Sequence, residues 1–202
     1  MDDLLGAMPL NDLLSALAAK SPAPGGGAAA GVIGATAAAL GGMVVAYSQN
    51  RRSLAEHHAF LDDANERLER ARALFVALAD ADAAGYTQLN RLMKLPEDDA
   101  ERRAGWDAAV NGAIAPPRAT LAAACDLLRL LEELPGRINP HLKSDLGVAA
   151  VAGQAAARAA SWNVRVNAPL LDDQTRASVL DEATRLVADA SARAARIEAG
   201  CA

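Results

Sequence analysis

A chain of 202 residues with 52% hydrophobic but only 3% aromatic content draws its apolar surface from Ala, Leu and Val, a composition that favours helices over strands. The formal net charge of −5, with acids and bases interspersed and no Lys/Arg-rich block, argues against nucleic acid as a partner. Cys125 and Cys201 lie far apart without metal-ligand spacing, and Met1-Asp2-Asp3 is acidic where a signal peptide is basic, so a cytoplasmic protein is expected.

No segment alternates strictly between apolar and polar residues over strand length, which makes the expected class all-α. The first helix is expected from near Pro9 to Lys20, with Leu10, Leu13, Leu14 and Leu17 on one face. Ser21-Pro22-Ala23-Pro24-Gly25-Gly26-Gly27 breaks it. An uncharged second helix follows over roughly residues 28–49. The twenty residues from Ala28 to Tyr47 carry no charge and are long enough to span a bilayer, and Gly27 and Gly31 share the G-x-x-x-G spacing of membrane helices. Ala and Gly dominate the stretch, however, and a Pro/Gly loop precedes it in place of an interfacial anchor. A small-residue helix at the centre of a soluble bundle, with no membrane involved, is the better account.

Ser53 is expected to cap a third helix, with Glu56 at the capping-box position. A heptad seam then runs through Leu54, His57, Leu61, Ala64, Leu68, Ala71, Phe75, Leu78, Asp82, Gly85, Leu89 and Leu92. It extends about 60 Å at 1.5 Å per residue. His57, Asp82 and Gly85 violate it, and an acid on a core-facing seam is the kind of local inconsistency that functional sites produce. Pro96 ends this helix. A shorter one through Trp106 to Ala115 is expected next, then another starting at Pro116-Pro117 with Leu121, Cys125, Leu128 and Leu131 buried. After the loop from Pro135 to Pro140, Ser144 is expected to cap a helix reaching Val166, with Gln154, Arg158, Ser161 and Arg165 as its polar stripe. Asp172-Asp173 leads into a last amphipathic helix. Residues 1–202 thus read as one domain, a single up-and-down bundle of long helices.

Familiar catalytic motifs are largely absent. Gly25-Gly26-Gly27 lacks the Lys-Ser/Thr of a P-loop, and no G-x-S-x-G elbow occurs. His57 and His58 diverge by about 100° on a helix, so no metal site is expected. Three features remain. The Ser21–Gly27 loop feeds a helix N-terminus, which attracts anions, or it simply lets two helices pack tightly. Asp82, with Asp80 and Tyr86 close in sequence, can be a desolvated general acid or base, a counter-charge for a ligand cation, the partner of an arginine on another helix, or an acid exposed where the seam drifts. Asn139-Pro140-His141-Leu142-Lys143-Ser144-Asp145 combines a polar loop with a helix start; capping explains Ser144 and Asp145 but not Asn139 or His141.

These features occur in the order found in one family. The sequence resembles the cyclodeaminase domain of formiminotransferase-cyclodeaminase and its stand-alone bacterial relatives, the methenyltetrahydrofolate cyclohydrolases. Ser21 to Gly27 is similar to that family's S-x-T-P-G-G-G loop, with Ala23 for Thr. Asp82-x-x-x-Tyr86 is similar to its D-x-x-A-F segment, with Gly85-Tyr86 for Ala-Phe. Asn139 to Asp145 resembles N-x-N-x-x-S-D, with His141 for the second Asn, and Asn163-Val164-Arg165-Val166-Asn167 resembles N-V-x-x-N. Ser48-Gln49-Asn50-Arg51-Arg52 stands where family members often carry G-K-K-K, and Arg does not reproduce Lys geometry.

The resemblance implies a homodimeric helical bundle that binds a tetrahydrofolate derivative near a subunit interface. It implies one of two reactions at the carbon between N5 and N10, cyclodeamination of 5-formiminotetrahydrofolate or hydrolysis of 5,10-methenyltetrahydrofolate. Asp82 or Asp145 is the expected proton carrier, with Tyr86, Asn139, His141, Ser144 and Asn163 as substrate-binding candidates. Arg51, Arg52, Pro24 and Gly25–Gly27 are candidates for holding the substrate, its glutamate tail included. No cofactor beyond the folate substrate and no metal is expected. The alternatives are a non-catalytic helical protein that binds folate or another anion, and a structural bundle that oligomerises through its Ala/Gly helices.

Overall fold

The computed structural model describes residues 4–202, which form six α-helices and four short 3-10 segments; no strand occurs among the described residues. The helices are α1 (Leu10–Ala18), α2 (Gly26–Ala46), α3 (His58–Met93), α4 (Ala100–Glu132), α5 (Lys143–Asn167) and α6 (Asp173–Cys201). Four of them close a ring of neighbours: α2 packs on α3, α3 on α4, α4 on α5, and α5 back on α2. Successive members are antiparallel. Gly27 meets Asp82 while Gly41 meets Leu68, Gly85 meets Gly112 while Gly105 meets Leu92, and Gly26 meets Asn163 at the far end of α5. The fold is therefore the expected up-and-down bundle, with α6 laid along α4 and α5.

α2 is long and apolar enough to cross a membrane. Its Ala30, Ala37, Ala38, Val44 and Val45 are instead buried against the bundle, as in a core helix. Its small residues let α3 come close: a Cβ on Gly31 would lie 2.8 Å from the backbone oxygen of Phe75. The fully buried Leu61, Leu68, Phe75, Leu121, Leu128, Leu131, Leu146 and Ile197 fill the centre. A second apolar cluster, built on Leu89, Leu92, Val110 and Ile114, lies at the end of the bundle where α3 finishes and α4 begins. On the outside, Glu132 of α4 pairs with Arg193 and Arg196 of α6, and Arg118 pairs with Glu182 at 2.6 Å.

Several expected boundaries move. α1 is shorter than Pro9–Lys20, and only Leu13 of its leucine face is buried; Leu10 and Leu14 are 66% and 53% exposed. Ser53 does not cap α3. Arg52–His57 form a 3-10 segment that turns Leu54 inward, and His57 ends it, so His57 never joins the α3 seam. Ser144 is not a cap either; Asn139 caps the 3-10 turn Pro140–Leu142 by accepting from the His141 N–H at 3.2 Å. Asp172 caps α6 through the N–H groups of Gln174 and Thr175.

The largest departure is α4, which runs unbroken through Pro116 and Pro117 where two helices were expected. Each proline removes one N–H and so frees a carbonyl four residues earlier, on Gly112 and Ala113. Tertiary structure covers both. Asn167 Nδ2 donates to the Ala113 oxygen at 3.0 Å, and the Gly112 carbonyl abuts Gly85 on α3, where any Cβ would overlap it. Covered in this way, the gap in the hydrogen-bond ladder does not end the helix.

Candidate active site

The start of α2, the middle of α3 and the end of α5 meet at one end of the ring and leave a cleft of about 400 Å³. Gly25, Gly26 and Gly27 form one wall, Asp82, Tyr86, Leu89 and Met93 of α3 another, and Asn163, Val166 and Asn167 of α5 a third. Each position follows from local sequence. Asp82 falls on the α3 seam between Phe75 of the main core and Leu89 of the second cluster, so helical periodicity points it inward. Gly27 faces it from α2, and a Cβ there would overlap the carboxylate. Asn163 and Asn167, one turn apart, share the α5 face that looks back at the glycine loop.

Asp82 is 9% exposed, and burial pushes its pKa up to about 6 despite a hydrogen bond from the Ala28 N–H, which pulls the other way. No arginine or lysine pairs with it among the described residues. The ion-pair account of this acid therefore falls away. Asp80, by contrast, is structural: its Oδ1 accepts from the Leu5 N–H at 2.7 Å and pins the N-terminal 3-10 turn to α3. A carboxyl group that titrates near neutrality beside solvent can give or take a proton at a bound ligand.

The other residues singled out in the sequence divide by location. Gly25, Gly26, Gly27, Tyr86 and Asn163 join Asp82 in the cleft, and Pro24 lines a shallower hollow beside Asp80. Asp145 is in the first turn of α5, about 27 Å along that helix from Asn163 at 1.5 Å per residue. Ser144, Asn139, His141, Arg51 and Arg52 lie at that same far end. Asn139 is buried there and donates its N–H to Ser48 Oγ at 2.9 Å, which ties the loop to the end of α2. One chain thus gathers half of the candidates around Asp82 and holds the rest at the opposite end of α5. Asn167, Leu89, Met93, Val166 and Leu170 also line the cleft and were not among the candidates. The i, i+4 spacing of Asn163 and Asn167 was the available signal for the most polar of these.

Among the described residues no group of three His, Cys, Asp or Glu side chains is arranged to hold a metal ion.

Comparison with known proteins places the chain in a family. The family model described as formiminotransferase-cyclodeaminase matches residues 9–185. The methenyltetrahydrofolate cyclohydrolase of Methylorubrum extorquens is 31% identical over 96% of both chains. The formimidoyltransferase-cyclodeaminase of Sus scrofa is 33% identical over 94% of this chain, which spans only 36% of that longer protein. The crystal structure of formiminotetrahydrofolate cyclodeaminase from Thermotoga maritima superposes with a TM-score of 0.87 at 25% identity, covering 97% of this chain and 96% of that one. By the extent of these matches and by its fold, the chain belongs to the formiminotransferase-cyclodeaminase family.

Proposed function

We propose that the protein is a folate one-carbon enzyme acting at the carbon between N5 and N10 of tetrahydrofolate, with Asp82 as the acid/base group. The observation that carries this reading is the unpaired, buried Asp82 carboxyl at the cleft, raised to about 6 by desolvation. In cyclodeamination, N10 attacks the formimino carbon and gives up its proton as the C–N10 bond forms, and the C–NH2 bond then breaks as the amino group takes up a proton and leaves as ammonia. In methenyl hydrolysis, water adds to the same carbon and loses a proton, and the C–N5 bond breaks as N5 takes up a proton and the hydroxyl gives one up, leaving 10-formyltetrahydrofolate. Both routes pass through a tetrahedral carbon and need a group that gives or accepts a proton near neutral pH. Neither changes the oxidation state of the carbon, so the chemistry calls for no redox cofactor, and we propose no metal. A cytoplasmic location belongs to the same reading.

We also propose a homodimer paired through the outer face of α5. Val148, Val151, Trp162 and Val166 are 48–69% exposed along that face. They are disposed symmetrically about Ala155–Arg158, so an antiparallel second copy would set Val148 against Val166 and Val151 against Trp162. It would also bring the two separated groups of motif residues together.

The test is to mix purified protein with 5,10-methenyltetrahydrofolate and follow loss of its near-ultraviolet absorbance, then to assay ammonia release from 5-formiminotetrahydrofolate. Accelerated turnover in either assay, lost in Asp82→Asn, is expected. No acceleration in both overturns the enzymatic reading. Light scattering reads the dimer: Trp162→Glu should halve the mass, and a monomeric wild type refutes the pairing.

A further inference from the structure

The two asparagines of the cleft have fixed amide orientations. A carbonyl oxygen can only accept, so the atom facing it must be the amide nitrogen. Asn163 Nδ2 donates to the Ala159 oxygen at 3.0 Å, and Asn167 Nδ2 donates at 3.0 Å to the Ala113 oxygen that Pro117 leaves without a helical donor. Each Nδ2 spends one of its two N–H donors in this way, which fixes the flip of the amide and turns its Oδ1 away from that carbonyl, free to accept from a ligand. Asn163 Oδ1 lies 3.5 Å from the Cβ position of Gly26, on the cleft wall. Asn167 is 8% exposed, and no buried side-chain oxygen or nitrogen among the described residues lacks a partner. Among the described residues no donor reaches its Oδ1, so that oxygen keeps some solvent access, and the residue lines the cleft.

The cleft wall thus carries two amide oxygens and the Asp82 carboxylate, while no Lys, Arg or His is among its lining residues. On that wall an anionic group meets acceptors, and only the α2 N-terminus at Gly26 and Gly27 across the cleft offers it N–H donors. A flat heterocycle with adjacent N–H donors meets partners, since side chains at i and i+4 stand about 5–6 Å apart and can both accept from one ring edge. The volume of about 400 Å³ lies toward the small end of the ~300–1,000 Å³ typical of ligand sites, which suits a bicyclic ring better than a whole folate.

We propose that Asn163 and Asn167 read the N–H edge of the substrate's amino-oxo-pyrimidine ring through their amide oxygens, and that the anionic tail lies outside the cleft. This deepens, and rests on, the folate reading. Asn167 has a second duty, holding α5 to the proline break of α4, which couples the ring-binding oxygen to the tertiary packing of the bundle. A site that satisfies substrate N–H groups in this way discriminates strongly, because an analogue without them leaves the oxygens unpaired.

Calorimetric titration separates the parts of the substrate. The probes are 6-methylpterin, which has the ring without the tail, p-aminobenzoylglutamate, which has the tail without the ring, and 5-formyltetrahydrofolate, which has both. They are titrated into the wild type, Asn163→Leu, Pro117→Ala and the double variant Pro117→Ala/Asn167→Leu. Pro117→Ala returns an N–H to the Ala113 carbonyl, so the double variant loses the amide oxygen without leaving that carbonyl bare. Weakening of 6-methylpterin by tenfold or more in Asn163→Leu, and in the double variant relative to Pro117→Ala, is expected, with p-aminobenzoylglutamate unchanged. Ring binding that is absent in the wild type, unchanged in either comparison, or weakened no more than tail binding overturns the proposal. Failure of the wild type to bind 5-formyltetrahydrofolate is the separate failure of the folate reading.

Discussion

Asp82→Asn should stabilise the protein above neutral pH while removing its activity. The wild-type carboxyl has a pKa of about 6 in the folded state against 3.8 for an ordinary aspartate. Between those values the native state binds more protons than the unfolded state, so unfolding free energy falls as pH rises through the window. A shift of about two units at 1.36 kcal/mol per unit amounts to roughly 3 kcal/mol, present below pH ~4 and lost above pH ~6. Asparagine does not titrate and can still accept from the Ala28 N–H. The stability difference between Asp82→Asn and wild type should therefore grow by about 3 kcal/mol from pH 3.5 to pH 7.5. For a chain of this size that corresponds to a relative gain in Tm of some 6–12 °C. Urea titrations of both proteins at matched pH values measure it. The carboxylates that run the other way, such as Glu132 and Asp189, are common to both proteins and cancel in the difference. A difference that stays flat across pH 4–6 would show that Asp82 is not desolvated in solution, and the acid/base argument built on it would fail.

With Asp82 accepting the proton from water, methenyl hydrolysis should slow as pH falls through about 6, a dependence absent from Asp82→Asn and read from kcat/KM against pH. Gly27→Ala places a methyl group where the carboxylate lies, and a catalytic group displaced by about 1 Å costs around 100-fold, so turnover should fall that far while circular dichroism keeps the helices. Gly85→Ala drives a Cβ into the backbone carbonyl of Gly112, which has no rotamer to escape through, and should destabilise by about 3 kcal/mol or more. Gly42→Ala on α2 meets nothing within 4 Å and should instead stabilise by about 0.4–1 kcal/mol, making the pair a matched test by thermal unfolding. Cys125 is fully buried with its thiol pushed up to about 11, so the native protein should label at Cys201 alone with a thiol reagent until it is unfolded.

The sequence by itself determined the helical class, the long α3 seam with Asp82 upon it, the buried Cys125 and the core character of α2. The α3 seam and Cys125 follow from residue spacing along one helix, which periodicity reports directly, and the class and the core role of α2 follow from composition. It also marked the glycine loop, Tyr86 and Asn163, which the fold brings to Asp82. Tertiary structure decided what spacing along one helix cannot encode. Pro116-Pro117 reads locally as a helix start, yet α4 passes through it because Gly85 and Asn167, distant in sequence, cover the freed carbonyls. Ser53 and Ser144 read as caps, but the neighbouring 3-10 turns set the helix starts and leave their hydroxyls unused as caps. The resemblance offered Asp82 or Asp145 as proton carrier without a distance between them, and the length of α5 holds the two at opposite ends of the bundle. Local propensity and periodicity are properties of neighbouring residues; distances between helix ends, and the partners of freed backbone groups, exist only once the helices have packed.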